Sequence, residues 1–355
     1  VARNIVLCLD GTNNKYAATN TNVVKLYAML DRTGNDQFTY YQPGIGTMPP
    51  TGMWGRLQKR IVTTLDLAIA WLLEEHVCDA YRFLMRYYEE GDRIYIFGFS
   101  RGAYTARVLA AMLYKVGLLS KGNEELVPFA WEMFTHKSSL DREPCAGFRR
   151  TFAREVKVHF LGLWDTVSSV GWAWNPSHYQ YTANNSSVTT IRHAVALDER
   201  RAYFVQNLWG SGPDVEQVWF PGVHCDVGGG YPDGTLSILG LAWMTREAKA
   251  HGLRTDPVAE QATLSGDGTP AFLAQHAIGP AHESLTGWWW VGEYLPKRTR
   301  VEELNNTWRT RWIIPAGRYR TVPTGSCIHQ SVLTRQGLLP TYRLTNLPGK
   351  ATIVT

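Results

Sequence analysis

The sequence predicts an α/β chain with a mostly parallel central sheet, helices on both faces and lid-like insertions. Three observations carry this. Short apolar runs end in Gly, Asp or Asn turns, and stretches with apolar residues every three or four positions separate them. Strand and helix patterns therefore alternate, as a covered parallel sheet requires. The length of 355 residues, with 45% hydrophobic and 19% charged residues, suits one large buried core.

The elements follow in order. Asn4–Leu9 reads as a buried strand closed by Asp10-Gly11-Thr12-Asn13, and Val23–Leu30 as a helix capped from Asn20-Thr21-Asn22. Phe38–Tyr41 is a second strand, ending at Pro43-Gly44. Residues 44–60, rich in Gly and Pro, read as a lid segment. Thr64–Tyr88 has the spacing of a long amphipathic helix, Asp92–Phe97 that of a strand and Ala103–Val116 that of the following helix. Val156–Leu163 is a further strand. Residues 168–190, with Trp172 and Trp174, read as a second lid, and Arg192–Glu199 as a helix. Val215–Phe220 is a strand, Pro221–Tyr231 a turn, and Leu236–His251 a helix. The tail, 255–355, is less regular, and its Trp288-Trp289-Trp290 run has no clear place. The whole chain, 1–355, is read as one domain.

Composition narrows the function. The net charge of +5 is spread without a basic arm, which argues against nucleic acid as a partner. A mildly basic surface and 14 Trp allow transient contact with a membrane surface. Five scattered cysteines without C-x-x-C spacing suggest reduced thiols. No apolar stretch approaches the ~20 residues that span a bilayer. With no leader visible, the expectation is a cytoplasmic protein, a leaderless secretion route remaining open.

The chemistry centres on residues 94–107, Ile-Tyr-Ile-Phe-Gly-Phe-Ser-Arg-Gly-Ala-Tyr-Thr-Ala-Arg. An apolar strand, G-x-S-x-G and a helix-forming stretch make the nucleophile-elbow pattern, in which a sharp turn lifts the serine out of the sheet. Ser100 is the candidate nucleophile. A serine hydroxyl needs a neutral imidazole as base, a carboxylate to orient it and two donors for the oxyanion. Asp165, closing the run Val-His-Phe-Leu-Gly-Leu-Trp, is the candidate acid, with Asp198 as runner-up in a helical salt-bridge setting. Two histidines compete as base. His224 stands at a strand end in Val-His-Cys-Asp-Val-Gly-Gly-Gly, and His329 opens a short helix late in the chain. The remaining eight histidines have no comparable setting. The oxyanion donors are the N–H of Arg101 and that of Gly11 or Thr12, with Asp10 fixing the turn. Asp10 and Asp226 could alternatively ligate a hard cation, but two distant aspartates are a weak metal signature, and no cofactor is expected.

Together these segments resemble the α/β-hydrolase domain DUF2235, shared by fungal proteins and by Tle1-type phospholipase effectors of bacterial type VI secretion. The matching pieces include Leu-Asp-Gly-Thr-Asn-Asn (9–14), Gly-Phe-Ser-Arg-Gly-Ala-Tyr-Thr-Ala-Arg (98–107), Phe-Leu-Gly-Leu-Trp-Asp-Thr-Val (160–167) and Ala-Leu-Asp-Glu-Arg-Arg-Ala-Tyr-Phe (196–204). Phe-Pro-Gly-Val-His-Cys-Asp-Val-Gly-Gly-Gly-Tyr (220–231) and Ile-His-Gln-Ser-Val (328–332) complete them. The resemblance implies a Ser–Asp–His esterase acting on lipid or phospholipid acyl esters. Both histidine motifs belong to the family pattern. His329 is taken as the base by a narrow margin, with His224 and Asp226 shaping the site. The rival readings are a non-catalytic lipid- or protein-binding module on the same scaffold, and a metal-dependent phosphoester hydrolase.

Overall fold

The computed structural model describes residues 2–11, 19–44, 58–136, 142–167, 179–287, 289–303 and 307–355. Its centre is an eight-stranded sheet built from β1 (Asn4–Leu9), β2 (Gln37–Gln42), β3 (Arg93–Phe99) and β4 (Val158–Trp164), continued by β5 (Val188–Ala196), β6 (Val215–Phe220), β7 (Cys327–His329) and β8 (Thr352–Val354). The spatial order is β8-β7-β6-β5-β4-β3-β1-β2, and every neighbouring pair is parallel. Parallel strands need long crossovers, so helices cover both faces and the central strands are largely buried, while the edge strands are partly exposed.

Side-chain alternation divides the core. Ile5, Leu7 and Leu9 of β1, with Ile94 and Ile96 of β3, face α2 (Gln58–Tyr87) and α3 (Arg101–Val116). Val6 and Cys8, with Tyr95 and Phe97, face α1 (Asn22–Met29) and α5 (Ser237–Ala250). Between them in sequence lies the five-residue α4 (His224–Gly228). A smaller cluster of Trp219, Ile328 and Val332 seats α6 (Gln330–Leu338) against the far edge of the sheet. The capped start expected for α1 is present: the Thr21 hydroxyl accepts the Val24 N–H at 3.3 Å.

Some expectations change, and others fall partly outside the described residues. Residues 192–196 belong to a strand rather than a helix, because β5 is enclosed between β4 and β6, where residues 190–196 are buried without interruption. Its Arg192 is stabilised by Glu247 at 2.5 Å and Asp214 at 2.7 Å, which is how a charge survives in a sheet interior. Of the second lid, 168–178 lies outside the described residues, 179–187 forms turns and 188–190 opens β5. Of the first lid, 45–57 lies outside the described residues and Gln58 already begins α2. The tail also supplies β7 and β8, two strands with no sequence assignment.

Candidate active site

Ser100 sits between the end of β3 and the first residue of α3, with φ 58° and ψ −119°. A non-glycine residue in that region is strained by ~1–3 kcal/mol and persists only where its surroundings enforce it. Two glycines and one hydrogen bond do so. A Cβ at Gly98 would stand 2.5 Å from the Gly102 carbonyl, and one at Gly102 would run into the Leu9 and Asp10 carbonyls. The Ser100 N–H then donates to the Trp164 carbonyl at 3.0 Å, pinning the turn to the end of β4.

Asp165 is the next residue after β4, with φ 36° and no exposed surface. Because β3 and β4 are paired in parallel, Phe99 beside Trp164, the two strained residues leave adjacent strand ends. His224 arrives from β6 through the turn after Phe220. It opens α4 rather than ending the strand as expected.

These three side chains form one hydrogen-bonded line. His224 Nδ1 lies 2.5 Å from Asp165 Oδ2, and Nε2 lies 2.8 Å from Ser100 Oγ. An ionised carboxylate can only accept, so Nδ1 donates to it, and in a neutral imidazole this tautomer turns the lone pair of Nε2 to the hydroxyl. The imidazole is packed between Phe99 at 4.6 Å and Phe204 at 4.8 Å, centroid to centroid. Its backbone N–H donates to Glu199 at 3.2 Å.

Asp165 is held more firmly than the sequence suggests. Oδ1 accepts from the Ala196 N–H at 2.9 Å and from Arg320 Nη1 at 2.6 Å, while Oδ2 accepts from Arg320 Nη2 at 3.1 Å. Burial opposes ionisation of this carboxyl. The Arg320 charge and the His224 hydrogen bond outweigh it and hold the carboxyl well below the ordinary range. Arg320 is fixed in turn by the carbonyls of Ala196 at 3.0 Å and Phe204. Glu199 is as buried as Asp165. Burial works against its charge as well, but Arg201, bonded at 2.8 Å and 3.0 Å, brings its carboxyl down to about 2.

His329 is not part of this line. Its Nδ1 faces the Ser331 hydroxyl at 2.7 Å, its ring stacks on Phe220 at 4.4 Å, and its side chain caps α6. Burial, reinforced by Arg246, pushes it down to about 3. The imidazole that meets Ser100 is that of His224, so the narrow preference for His329 is corrected. Its sequence position, late in the chain at a helix start, suits a cap equally well.

Of the oxyanion donors, Arg101 N–H opens α3, where the first turn of a helix leaves N–H groups without intrahelical acceptors. Gly11 N–H instead donates to the Asp10 carboxylate at 2.7 Å, and Thr12 lies outside the described residues. Asp10 also accepts from Thr21 at 2.8 Å and Tyr41 at 3.0 Å, so it fixes its turn. Asp226 accepts from Val223 N–H at 3.0 Å, from His282 N–H at 3.1 Å and from His282 Nδ1 at 2.7 Å. Both carboxylates are thus engaged in holding loops. Among the described residues, no group of three or more His, Cys, Asp or Glu is placed to hold a metal ion. Asp198 lies beyond β5, not on a helix, and bonds Gly222 N–H at 2.6 Å and the Tyr342 hydroxyl at 2.8 Å.

Sequence reasoning missed Arg320, Glu199 and His282. Glu199 stood inside the Ala-Leu-Asp-Glu-Arg-Arg motif, which was a signal. Arg320, in Gly-Arg-Tyr-Arg-Thr, carries none.

Comparison with known proteins shows the family. An uncharacterized protein of Saccharomyces cerevisiae is 43% identical over 235 residues, which is 61% of this chain and 34% of that protein. The crystal structure of an uncharacterized protein from Pseudomonas aeruginosa matches with a TM-score of 0.46 and 22% identity, over 78% of this chain and 50% of that one. The Tle1 effector bound to the VgrG spike of the type VI secretion system matches with a TM-score of 0.39 and 18% identity, over 65% and 51%. The chain therefore spans about a third of the curated relative's length and about half of each solved chain. The model of the type VI secretion phospholipase effector Tle1-like catalytic domain matches residues 3–247, and the chain belongs to that family.

Proposed function

We propose that this protein is a serine-dependent carboxylic ester hydrolase acting on lipid acyl esters. The observation that carries the reading is the placement of Ser100 Oγ 2.8 Å from His224 Nε2, with Asp165 2.5 Å from the opposite nitrogen. A lipid substrate is supported by membership in a phospholipase effector catalytic-domain family.

In this reading Ser100 Oγ attacks the ester carbonyl carbon as its proton passes to His224 Nε2. Asp165, kept ionised by Arg320, stabilises the imidazolium and fixes its tautomer. The Arg101 N–H stabilises the oxyanion. One such donor is typically worth ~10²–10³ in rate. The carbonyl reforms, the alcohol leaves with the proton from His224, and an acyl-serine remains. Water, deprotonated by the same imidazole, then releases the carboxylic acid and restores Ser100.

The test is covalent. A fluorophosphonate should label the wild type at Ser100 and leave Ser100→Ala unlabelled, with turnover of a short-chain nitrophenyl ester lost in parallel. Labelling that persisted in the variant would reject the assignment. Mass spectrometry of products from a mixed lipid pool, wild type against Ser100→Ala, would separate phospholipid from neutral ester.

A further inference from the structure

The turn that carries His224 to the site is held by three carboxylates, one for each of three consecutive backbone N–H groups. Gly222 donates to Asp198 at 2.6 Å, Val223 to Asp226 at 3.0 Å and His224 to Glu199 at 3.2 Å. β6 ends at Phe220 and α4 begins at His224, so these N–H groups lie past the strand's ladder and ahead of the helix's own acceptors. All three residues are buried, and a buried amide left without an acceptor is costly. A backbone carbonyl would remove that cost. Bonds to an ionised carboxylate are shorter and about twice as strong as neutral ones.

Each carboxylate is itself held in place. Glu199, fully buried, accepts from Arg201 Nε at 3.0 Å, from Arg201 Nη2 at 2.8 Å and from the Ser284 hydroxyl at 2.9 Å. His282 Nδ1 donates to Asp226 at 2.7 Å, and the Tyr342 hydroxyl to Asp198 at 2.8 Å. The backbone closes the clamp: the Asp198 N–H donates to the Gly222 carbonyl at 3.0 Å, and the Leu197 N–H to the Phe220 carbonyl at 3.0 Å. Gly222 has φ 98°, and a Cβ there would stand 2.4 Å from that of Asp226. Glu199 also reaches the imidazole by a second route. The arginine it fixes lies over Phe204 at 3.7 Å, and Phe204 packs against His224 at 4.8 Å.

Gathering three negative groups round one buried turn opposes folding, through desolvation and mutual repulsion. Burial pushes the Asp198 carboxyl up to about 6, a measure of that opposition. What the arrangement gains is a fixed origin for one side chain. We infer that Asp198, Glu199 and Asp226 are positioning residues, which clamp the turn 222–224 so that the imidazole of His224 stays between Ser100 and Asp165. The inference rests on the ester-hydrolase reading, in which a misplacement of ~1 Å can cost ~10²-fold in rate.

The experiment measures kcat, KM and urea unfolding on the full chain with a soluble nitrophenyl ester, counting reactive sites by fluorophosphonate titration. Glu199→Gln, Asp198→Asn and Asp226→Asn are compared with Asp92→Asn. Asp92 is also a buried carboxylate paired with an arginine, and it accepts the Arg3 and Glu89 N–H groups at 3.0 Å each, but it stands at the end of β3 remote from Ser100. Per titrated site, Glu199→Gln should lower kcat about ten-fold or more and each aspartate variant about three-fold or more, with KM within about two-fold. Asp92→Asn should lose stability and keep kcat. Unchanged kcat in the folded Glu199 and Asp198 variants would overturn the inference, and so would an equal fall in Asp92→Asn. If Glu199→Gln does not fold, the two aspartate variants decide on the same criterion. A wild type that neither turns over the ester nor takes the label would overturn the hydrolase reading and this inference with it. Normal wild-type turnover beside unmoved variants would overturn this inference alone.

Discussion

Among the described residues are two buried histidine–serine pairs of nearly the same length, His224 with Ser100 at 2.8 Å and His329 with Ser331 at 2.7 Å. What differs is the rest of each ring's environment. His224 has a carboxylate on its other nitrogen, an arginine behind that carboxylate and a serine held in a strained turn. His329 has Phe220 against its face, Arg246 nearby, and a serine two residues along the same helix start. In the proposed mechanism the first arrangement is the one that passes a proton from Ser100 to the imidazole. The second opposes it, since burial and a nearby positive charge both disfavour imidazolium. A short His–Ser contact is therefore not a reactive unit by itself; the group on the far nitrogen decides.

The largest expected difference between the pairs is in the serines. Ser100→Ala should lower kcat by ~10⁵–10⁶, as loss of a triad nucleophile does, whereas Ser331→Ala should leave ester turnover within a few-fold. The histidines should repeat this contrast: His224→Ala should match the Ser100 variant, while His329→Ala should keep turnover and lower stability by ~0.5–2 kcal/mol through the lost helix cap. Comparable activity losses at both positions would erase the distinction. Asp165→Asn should cost ~10⁴ in kcat by favouring the wrong imidazole tautomer.

Arg320→Met sharpens the comparison further. It strips a fully buried carboxylate of its main counter-charge and should lower unfolding free energy by ~3–5 kcal/mol, with Arg320→Lys recovering part in urea titrations. The smallest effect belongs to pH. An unfolded imidazole titrates near ~6.5. His329 is held down to about 3, so between these values the unfolded chain binds the extra proton. Its contribution to stability is complete above the unfolded value and declines as pH falls toward 3. His329→Gln should flatten the loss of stability between pH 7 and 5, by up to ~1.4 kcal/mol per pH unit. A variant whose stability ran parallel to the wild type would contradict the neutral, buried assignment.

The placement of Ser100 and Asp165 at adjacent strand ends was legible because their geometry is local. A strand followed by G-x-S-x-G and a helix can make only a narrow range of turns, and an aspartate closing a parallel strand must appear at the sheet's C-terminal edge. The histidine was not legible, because both candidates stand where a strand passes into a helix. What separates them is which strand end lies beside Asp165, a property of sheet order. The same limit explains β5: the helix expected over Arg192–Glu199 gives way to a strand through Ala196, where Glu247 and Asp214 pair with Arg192. The reversed role of Gly11 is subtler, since its N–H goes to the preceding carboxylate, a one-residue contact that sequence spacing does not reveal.

Arg320 has one more implication. Ser100, Asp165 and His224 all fall within residues 3–247, yet the guanidinium that keeps Asp165 charged comes from beyond that stretch. A fragment ending at 247 would retain every member of the proton-relay line while forfeiting the cation at its base, together with two strands at one border of the sheet. If the proposed mechanism holds, the residues beyond 247 are needed to keep Asp165 charged, and shortened versions of this protein should retain Arg320.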